Sequence, residues 1–154
     1  MLRRLISNFR RNVSERLVAS RRKFNAPMRI WFEPTLNTPR EHDLARSRAI
    51  KGETVDLSRT GIAFMVNVIR VNENYLVGQD RKLNCEIDLP TGKVAMQIVA
   101  RRYEKVGIHL TTEQYLIGAS ITRLDSDSNA AYDHFLRKGD RRGKRTRELG
   151  LRTD

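Results

Sequence analysis

The amino-acid sequence predicts a mainly β fold, a small antiparallel barrel with one helix before it and one after it. Three observations support this prediction. In the middle of the chain apolar and polar residues alternate, the segments with this period are short, and turn-forming residues separate them. A closed barrel removes the exposed edges that such strands would otherwise leave. With 154 residues, the chain is long enough for one domain of this kind.

The N-terminal segment has the period of an amphipathic helix. Apolar residues of this segment recur at spacings of three and four, and at ~100° per residue they form one stripe. The stripe consists of Leu2, Leu5, Ile6, Phe9, Val13 and Leu17, and four arginines lie outside it: Arg3, Arg4, Arg10 and Arg11. We predict a basic amphipathic helix over residues 1–19. Its apolar side has three candidate partners: the barrel itself, a membrane surface or another protein.

Extended segments with period two follow. They are Met28–Phe32, Glu53–Leu57, Ile62–Val66, Cys85–Leu89, Val94–Arg102 and Tyr115–Leu124, and Val106–Leu110 is a further candidate. Turn sequences connect two pairs of them, Ser58–Gly61 in the first pair and Pro90–Gly92 in the second. The polar stretch from Thr35 to Lys51 contains Pro39 and is predicted to be a long loop or the frayed start of a strand.

A second helix is predicted after the last strand. Asp127 or Ser128 can cap it, and Tyr132, Phe135 and Leu136 follow at helical spacing, which predicts that the helix packs against the barrel. Residues 139–154 are basic and contain almost no apolar side chains. We predict a disordered basic tail there, because such a composition cannot bury enough surface to fold alone.

Charge and cysteine content limit the function classes. Residues 1–29 carry a net charge of +8 and residues 137–154 carry +5, which leaves −1 of the total +12 for the middle of the chain. A neutral core makes nucleic acid an improbable partner, although basic ends acting as arms on phosphates stay an alternative. The single Cys85 excludes a disulfide framework and favours a reducing compartment. We expect a cytoplasmic protein, with peripheral membrane contact through residues 2–17 at the inner face as an option.

Catalytic patterns are missing from the sequence. His42, His109 and His134 lack the neighbours of a HExxH or CxxC site, and Ser58 lies in DLSRTG instead of a GxSxG elbow. We therefore predict a protein that is not an enzyme and has no metal site and no cofactor.

Two motifs suggest a ligand site. The basic cluster Ser20–Phe24, which includes Arg21 and Arg22, precedes the first strand, and the sequence DLSRTG connects two later strands. With these motifs the chain resembles the PilZ family, whose members carry an RxxxR motif ahead of a barrel and then [D/N]xSxxG on a turn. The second motif is complete at Asp56, Ser58 and Gly61. The first is incomplete, because Asn25 or Ala26 stands where the second arginine is expected.

The resemblance covers residues 20–138 and implies a six-stranded antiparallel PilZ-type β-barrel that binds cyclic di-GMP and passes the signal to a protein partner. The implied ligand-binding residues are Arg21, Arg22, Asp56, Ser58 and Gly61. Arginine offers a fork for phosphate or guanine, and a carboxylate suits the N–H donors of guanine. Gly61 is expected to adopt a positive φ and to let the backbone approach the ligand. The incomplete motif leaves a degenerate PilZ adaptor without ligand binding as the alternative.

Overall fold

The computed structural model describes residues 21–107 and 113–137. The predicted N-terminal helix, the basic tail, His109 and most of the segment Val106–Leu110 lie outside these residues. Within them, the structure confirms a mainly β architecture built around a closed antiparallel barrel.

The described residues form nine strands. They are β1 (Arg22–Lys23), β2 (Pro27–Phe32), β3 (Ile50–Leu57), β4 (Gly61–Val66), β5 (Arg70–Val71), β6 (Asn74–Tyr75), β7 (Lys82–Leu89), β8 (Gly92–Lys105) and β9 (Tyr115–Leu124). Six of them pair in the order β3–β2–β7–β8–β9–β4, and pairing of β3 with β4 closes the barrel. The short β1 pairs with the end of β3, and β5 and β6 form a separate hairpin.

Alternation along each strand places one set of side chains inside the barrel. On β4, Ile62, Phe64 and Val66 point inward and are at most 2% exposed. Ile98 of β8 and Ile117 of β9 meet them from other sides and are fully buried. Burial of each such side chain contributes about 1.5–3 kcal/mol, so the inward rows stabilise the barrel. Cys85 belongs to this core, as the sequence predicted.

The predicted hairpin at Pro90 is confirmed. Leu89 pairs with Gly92 across a loop of two residues, and Gly92 has a φ of 138°. Only glycine adopts such a conformation without strain, which explains why the turn residue is a glycine.

Helix α1 (Pro39–Ser47) corrects the prediction of a loop or frayed strand between Thr35 and Lys51. Thr38 caps the helix by accepting a hydrogen bond from the Glu41 backbone N–H at 3.2 Å, and Pro39 occupies the first turn. None of the residues of α1 is buried, so the helix lacks the apolar stripe that reveals helices in a sequence.

Helix α2 (residues 126–137) follows β9 directly. The predicted caps Asp127 and Ser128 are wrong, because both lie in the first turn and the Asp125 carbonyl accepts from the amides of Ser128 and Asn129. The Ser128 hydroxyl instead accepts from the Ala95 amide at 2.8 Å, which ties the helix to β8. Tyr132 and Phe135 are buried in the core, which confirms that the helix packs against the barrel. Neither helix in the described ranges is long and apolar enough to cross a bilayer.

Candidate functional site

The two predicted motifs lie side by side in the structure. Strand β1 pairs with the end of β3, with Arg22 opposite Leu57 and Lys23 opposite Asp56. The basic lead-in therefore runs along the strand that begins the DLSRTG turn. Pairing between segments more than 30 residues apart brings Arg21 and Asp56 together, which neither motif alone determines.

Asp56 is the most buried charged group of this site. Its pairing with Ala63 places it on the outward side of β3, since Leu57 and Ile62 of the next pair belong to the core. The side chain is nevertheless only 1% exposed, and the Arg21 Nη1 atom lies 3.6 Å from its Oδ2. A buried carboxylate needs a compensating cation, and Arg21 supplies positive charge here.

Arg22 extends toward helix α2. Its Nη2 donates a hydrogen bond to the Leu136 carbonyl at 3.1 Å, and its guanidinium carbon lies 5.7 Å from the centre of the Phe135 ring. Phe24 meets the same ring edge to face, with 5.0 Å between ring centres. The two predicted arginines thus contact different elements, Arg21 the barrel wall and Arg22 the helix.

Ser58 forms hydrogen bonds within its own turn. The hydroxyl donates to the Gly61 carbonyl at 3.0 Å and accepts from the Gly61 amide at 3.1 Å, and the Ser58 amide also donates to that carbonyl, at 2.9 Å. With an exposure of 1%, Ser58 fixes the shape of the turn in this structure.

The expected positive φ at Gly61 is wrong. Of the described glycines, Gly78 and Gly92 have positive φ values, and Gly61 does not. A Cβ atom at Gly61 would instead lie 2.9 Å from the Ala119 carbonyl oxygen of β9. Glycine is required because the backbones of β4 and β9 approach each other closely here.

Helix α2 supports the turn, and the sequence alone did not reveal this role. The Tyr132 hydroxyl donates to the Ser58 carbonyl, and Arg59 Nη2 lies 2.8 Å from Asp133 Oδ1. Burial raises the pKa of Tyr132, so its hydroxyl stays protonated as a donor. The helical spacing predicted that Tyr132 packs inward, but its partner lies 74 residues away and no local pattern identifies it.

A separate cleft of about 480 Å³ opens between α1, β2 and the β5–β6 hairpin. Trp31, Phe32 and Leu44 line its apolar part, and none of the five predicted site residues contributes to it. The described residues contain no group of three or more His, Cys, Asp or Glu side chains that could hold a metal ion. The arrangement around Asp56 therefore stays the candidate ligand site.

Comparison with known proteins identifies the fold. The sequence matches no protein-family model and no curated relative. The structure is similar to the PilZ domain of YcgR from Escherichia coli, solved with cyclic di-GMP, with a TM-score of 0.57 at 8% identity over 86% of this chain and 98% of that one.

Two longer proteins show the same similarity. Apo MrkH of K. pneumonia matches with a TM-score of 0.57 at 14% identity over 83% of this chain, and the Bacillus subtilis inhibitor of motility MotI/DgrA matches with a TM-score of 0.51 at 16% identity over 80%. The match spans 52% of the MrkH chain and 51% of the MotI/DgrA chain. The similarity to these three structures shows that the chain has a PilZ-like fold.

Proposed function

We propose that the chain is a cyclic di-GMP receptor, not an enzyme, that converts ligand binding into changed contacts with a protein partner. One observation carries the proposal: β1 places Arg21 and Arg22 beside a complete DxSxxG motif, with Arg21 3.6 Å from Asp56. The similarity to a PilZ domain that was solved with this ligand supports the same assignment.

The chemistry of the site suits the ligand. Cyclic di-GMP presents two phosphates and two guanines, and the guanidinium groups of Arg21 and Arg22 can pair with phosphate or with the O6 and N7 edge of guanine. Asp56 can accept hydrogen bonds from the N1 and N2 groups of guanine. Adenine offers no such pair of donors, so we expect selectivity for guanine.

Ligand binding would change the position of Arg22. Arg22 now contacts the Leu136 carbonyl and the Phe135 ring of α2. A hydrogen bond from a charged group contributes about 1.5–3 kcal/mol and a cation–π contact about 0.5–1 kcal/mol, and a bidentate bond to phosphate offsets both. Withdrawal of Arg22 would free the end of α2 and change the surface that a partner protein meets.

Calorimetric titration with cyclic di-GMP tests the proposal. In moderate salt, which suppresses nonspecific attraction to a basic chain, we expect a dissociation constant of roughly micromolar or below. Asp56→Asn removes the charge at the site, whereas Asp88→Asn changes a carboxylate that is 60% exposed on β7 and serves as the matched control. The proposal requires loss of binding in the first variant only, and weak binding of cyclic di-AMP by the wild type.

One observation favours a second candidate function, an adaptor that does not bind the nucleotide. Four residues after Arg21 stands the exposed Asn25, and four after Arg22 stands Ala26, which is fully buried with its amide bonded to Thr54 Oγ1 at 2.7 Å. Neither position supplies a second guanidinium. A wild-type chain that gives no heat of binding with cyclic di-GMP would support the adaptor, whose signal would then come from protein partners.

A further inference from the structure

A second apolar cluster lies outside the barrel and is separate from the core. Its centre is Ala63 on β4 and Leu116 on β9, which point outward and are nevertheless only 5% and 1% exposed, so this part of the barrel wall is covered in the folded chain. Three partly buried residues, Val55, Met65 and Val106, pack against them. We call these five residues the outer apolar face. They point away from the core, because their strand neighbours Phe64 and Ile117 are core residues.

Acidic groups border the outer apolar face. Glu53 on β3 is exposed and stands opposite Met65. Glu104 on β8 stands opposite Leu116, and its Oε2 atom is buried without a hydrogen-bond partner among the described residues. A buried carboxylate oxygen needs a donor, and a cationic donor suits it best. Arg102 on the same side of β8, opposite Gly118, adds a positive charge, so the Glu104 oxygen is the group that favours an occupant with an apolar middle and a basic side chain at this edge.

We propose that residues 2–17 of this chain occupy the outer apolar face. This segment has the required composition, with six apolar residues in one stripe and Arg3, Arg4, Arg10 and Arg11 outside it. As a helix it would be about 24 Å long, enough to cross three strands that lie ~4.8 Å apart.

The described part of the chain also begins next to the outer apolar face. Arg21 is held by Asp56, which pairs with Ala63 of the outer apolar face. The preceding 20 residues therefore start next to this face, and a short connection suffices to lay residues 2–17 on it. A membrane surface and a second copy of the chain are the competing occupants.

Docking of residues 2–17 would affect ligand access. Asp56 and Arg21 border the outer apolar face, so a ligand bound there would compete with the docked segment for the same space. This consequence rests on the proposed function, whereas the docking itself does not.

Paramagnetic relaxation measured on the full chain tests the docking. A nitroxide on Asn8→Cys labels the segment just outside its apolar stripe, and native Cys85 does not compete, because it is 1% exposed and burial raises the pKa of its thiol. Methyl signals of Val55, Met65 and Leu116 should lose most of their intensity. The methyls of Leu44 on the exposed helix α1 should keep theirs.

A matched chain carries Leu5→Ser and Phe9→Ser with the same label. These substitutions leave the barrel untouched, and the methyl signals of the outer apolar face should return. The docking is overturned if the labelled wild type broadens no methyl there, which is the result expected for a segment that binds only membranes. It is also overturned if labelled chains without isotope enrichment broaden the same methyl signals of isotope-enriched, unlabelled chains mixed with them, because broadening between two chains indicates a second copy.

Addition of cyclic di-GMP tests the competition separately. A ligand that binds by calorimetry should restore the signals of Met65 and Leu116, and a bound ligand that leaves them broadened would disprove the competition. The docking is measured without ligand, so a failure of the receptor proposal leaves that result readable.

Discussion

Two buried carboxylates of the barrel are neutralised in different ways. Glu86 on β7 has an 8% exposed side chain, and its oxygens lie 2.6 Å from Arg46, 3.5 Å from Arg29 and 3.5 Å from Lys93. These three cations come from α1, β2 and β8. Asp56 on β3 has Arg21 at 3.6 Å, a residue of the lead-in to the barrel.

The difference distinguishes Glu86, a carboxylate with a structural role, from Asp56, a carboxylate whose arginine partner a ligand could replace. Glu86 connects residues of three elements that each belong to the described fold, and Arg46 also covers Trp31, with 5.9 Å between the guanidinium carbon and the ring centre. Arg21 belongs to a segment that pairs with β3 through only two residues. If the proposed ligand binds, we therefore expect it to take over the contact of Arg21, which comes from the lead-in, and to leave the contacts of Glu86 unchanged.

The largest expected difference is in ligand affinity. Arg21→Ala and Arg29→Ala each remove an arginine that lies about 3.5 Å from a buried carboxylate. If only Asp56 belongs to the ligand site, Arg21→Ala should weaken cyclic di-GMP binding by at least tenfold, which corresponds to about 1.4 kcal/mol. Arg29→Ala should leave the affinity within a factor of two. Titration of both variants checks the comparison, and equal losses would contradict it.

Gly61→Ala should destabilise the barrel next to Asp56. The added methyl group meets the Ala119 carbonyl at 2.9 Å, and overpacking against backbone costs about 1–3 kcal/mol. Thr60→Ala in the same turn changes an exposed side chain and should cost less than ~0.5 kcal/mol. Urea denaturation measures both free energies of unfolding. Equal values for the two variants would show that β4 and β9 can move apart at no cost.

Glu86→Gln should lower the stability of the fold without changing the affinity for cyclic di-GMP. Its three cationic partners are each about half exposed, so solvent stabilises them after the substitution, and we expect a loss of about 1–2 kcal/mol. Asp88 is a neighbouring carboxylate that lies 3.9 Å from the same Lys93. Its substitution Asp88→Asn should lower the free energy of unfolding by less than ~0.5 kcal/mol. Thermal denaturation of both variants at low salt measures the difference. An altered cyclic di-GMP affinity in Glu86→Gln would contradict the prediction that Glu86 and the ligand site are independent.

Tyr132→Phe should give the smallest effect, about 1 kcal/mol, because it removes one hydrogen bond to the Ser58 carbonyl. Burial raises the pKa of Tyr132 above its ordinary value of 10.0 in the folded chain. The protonated form is thus favoured by folding, and its stabilisation is complete below pH 10 and lost as the pH rises further. Denaturation at pH 9 to 11 should therefore show a shallower decline for Tyr132→Phe than for the wild type, and parallel declines would contradict the pKa argument.

The strands were predictable because a strand that buries one of its two faces has alternating apolar and polar residues in its sequence. Five of the predicted segments lie within the observed strands β2, β3, β4, β7 and β8, and Tyr115–Leu124 coincides with β9. Helix α1 was missed because it buries no residue, so only its cap at Thr38 and Pro39 indicated it.

The turn motif could be read from the sequence, but its surroundings could not. Asp56 and Ser58 stand in one local pattern, whereas the partners of Arg22 and Ser58 are 114 and 74 residues away on α2. Alternation and capping report on local geometry and contain no information on such pairings. The mistaken φ of Gly61 has the same origin, because the Ala119 carbonyl that requires the glycine lies on β9.

The long sequence separation between Arg22 and Leu136 has a consequence for folding. Contacts that close long loops form slowly, and a chain leaving the ribosome exposes α2 only after all the strands of the barrel. The Ser58 turn and the arginine lead-in therefore gain their α2 contacts only after every strand of the barrel has been synthesised. A nascent or truncated chain that lacks α2 would therefore present Arg22 and the Ser58 turn without the contacts that hold them in the folded chain.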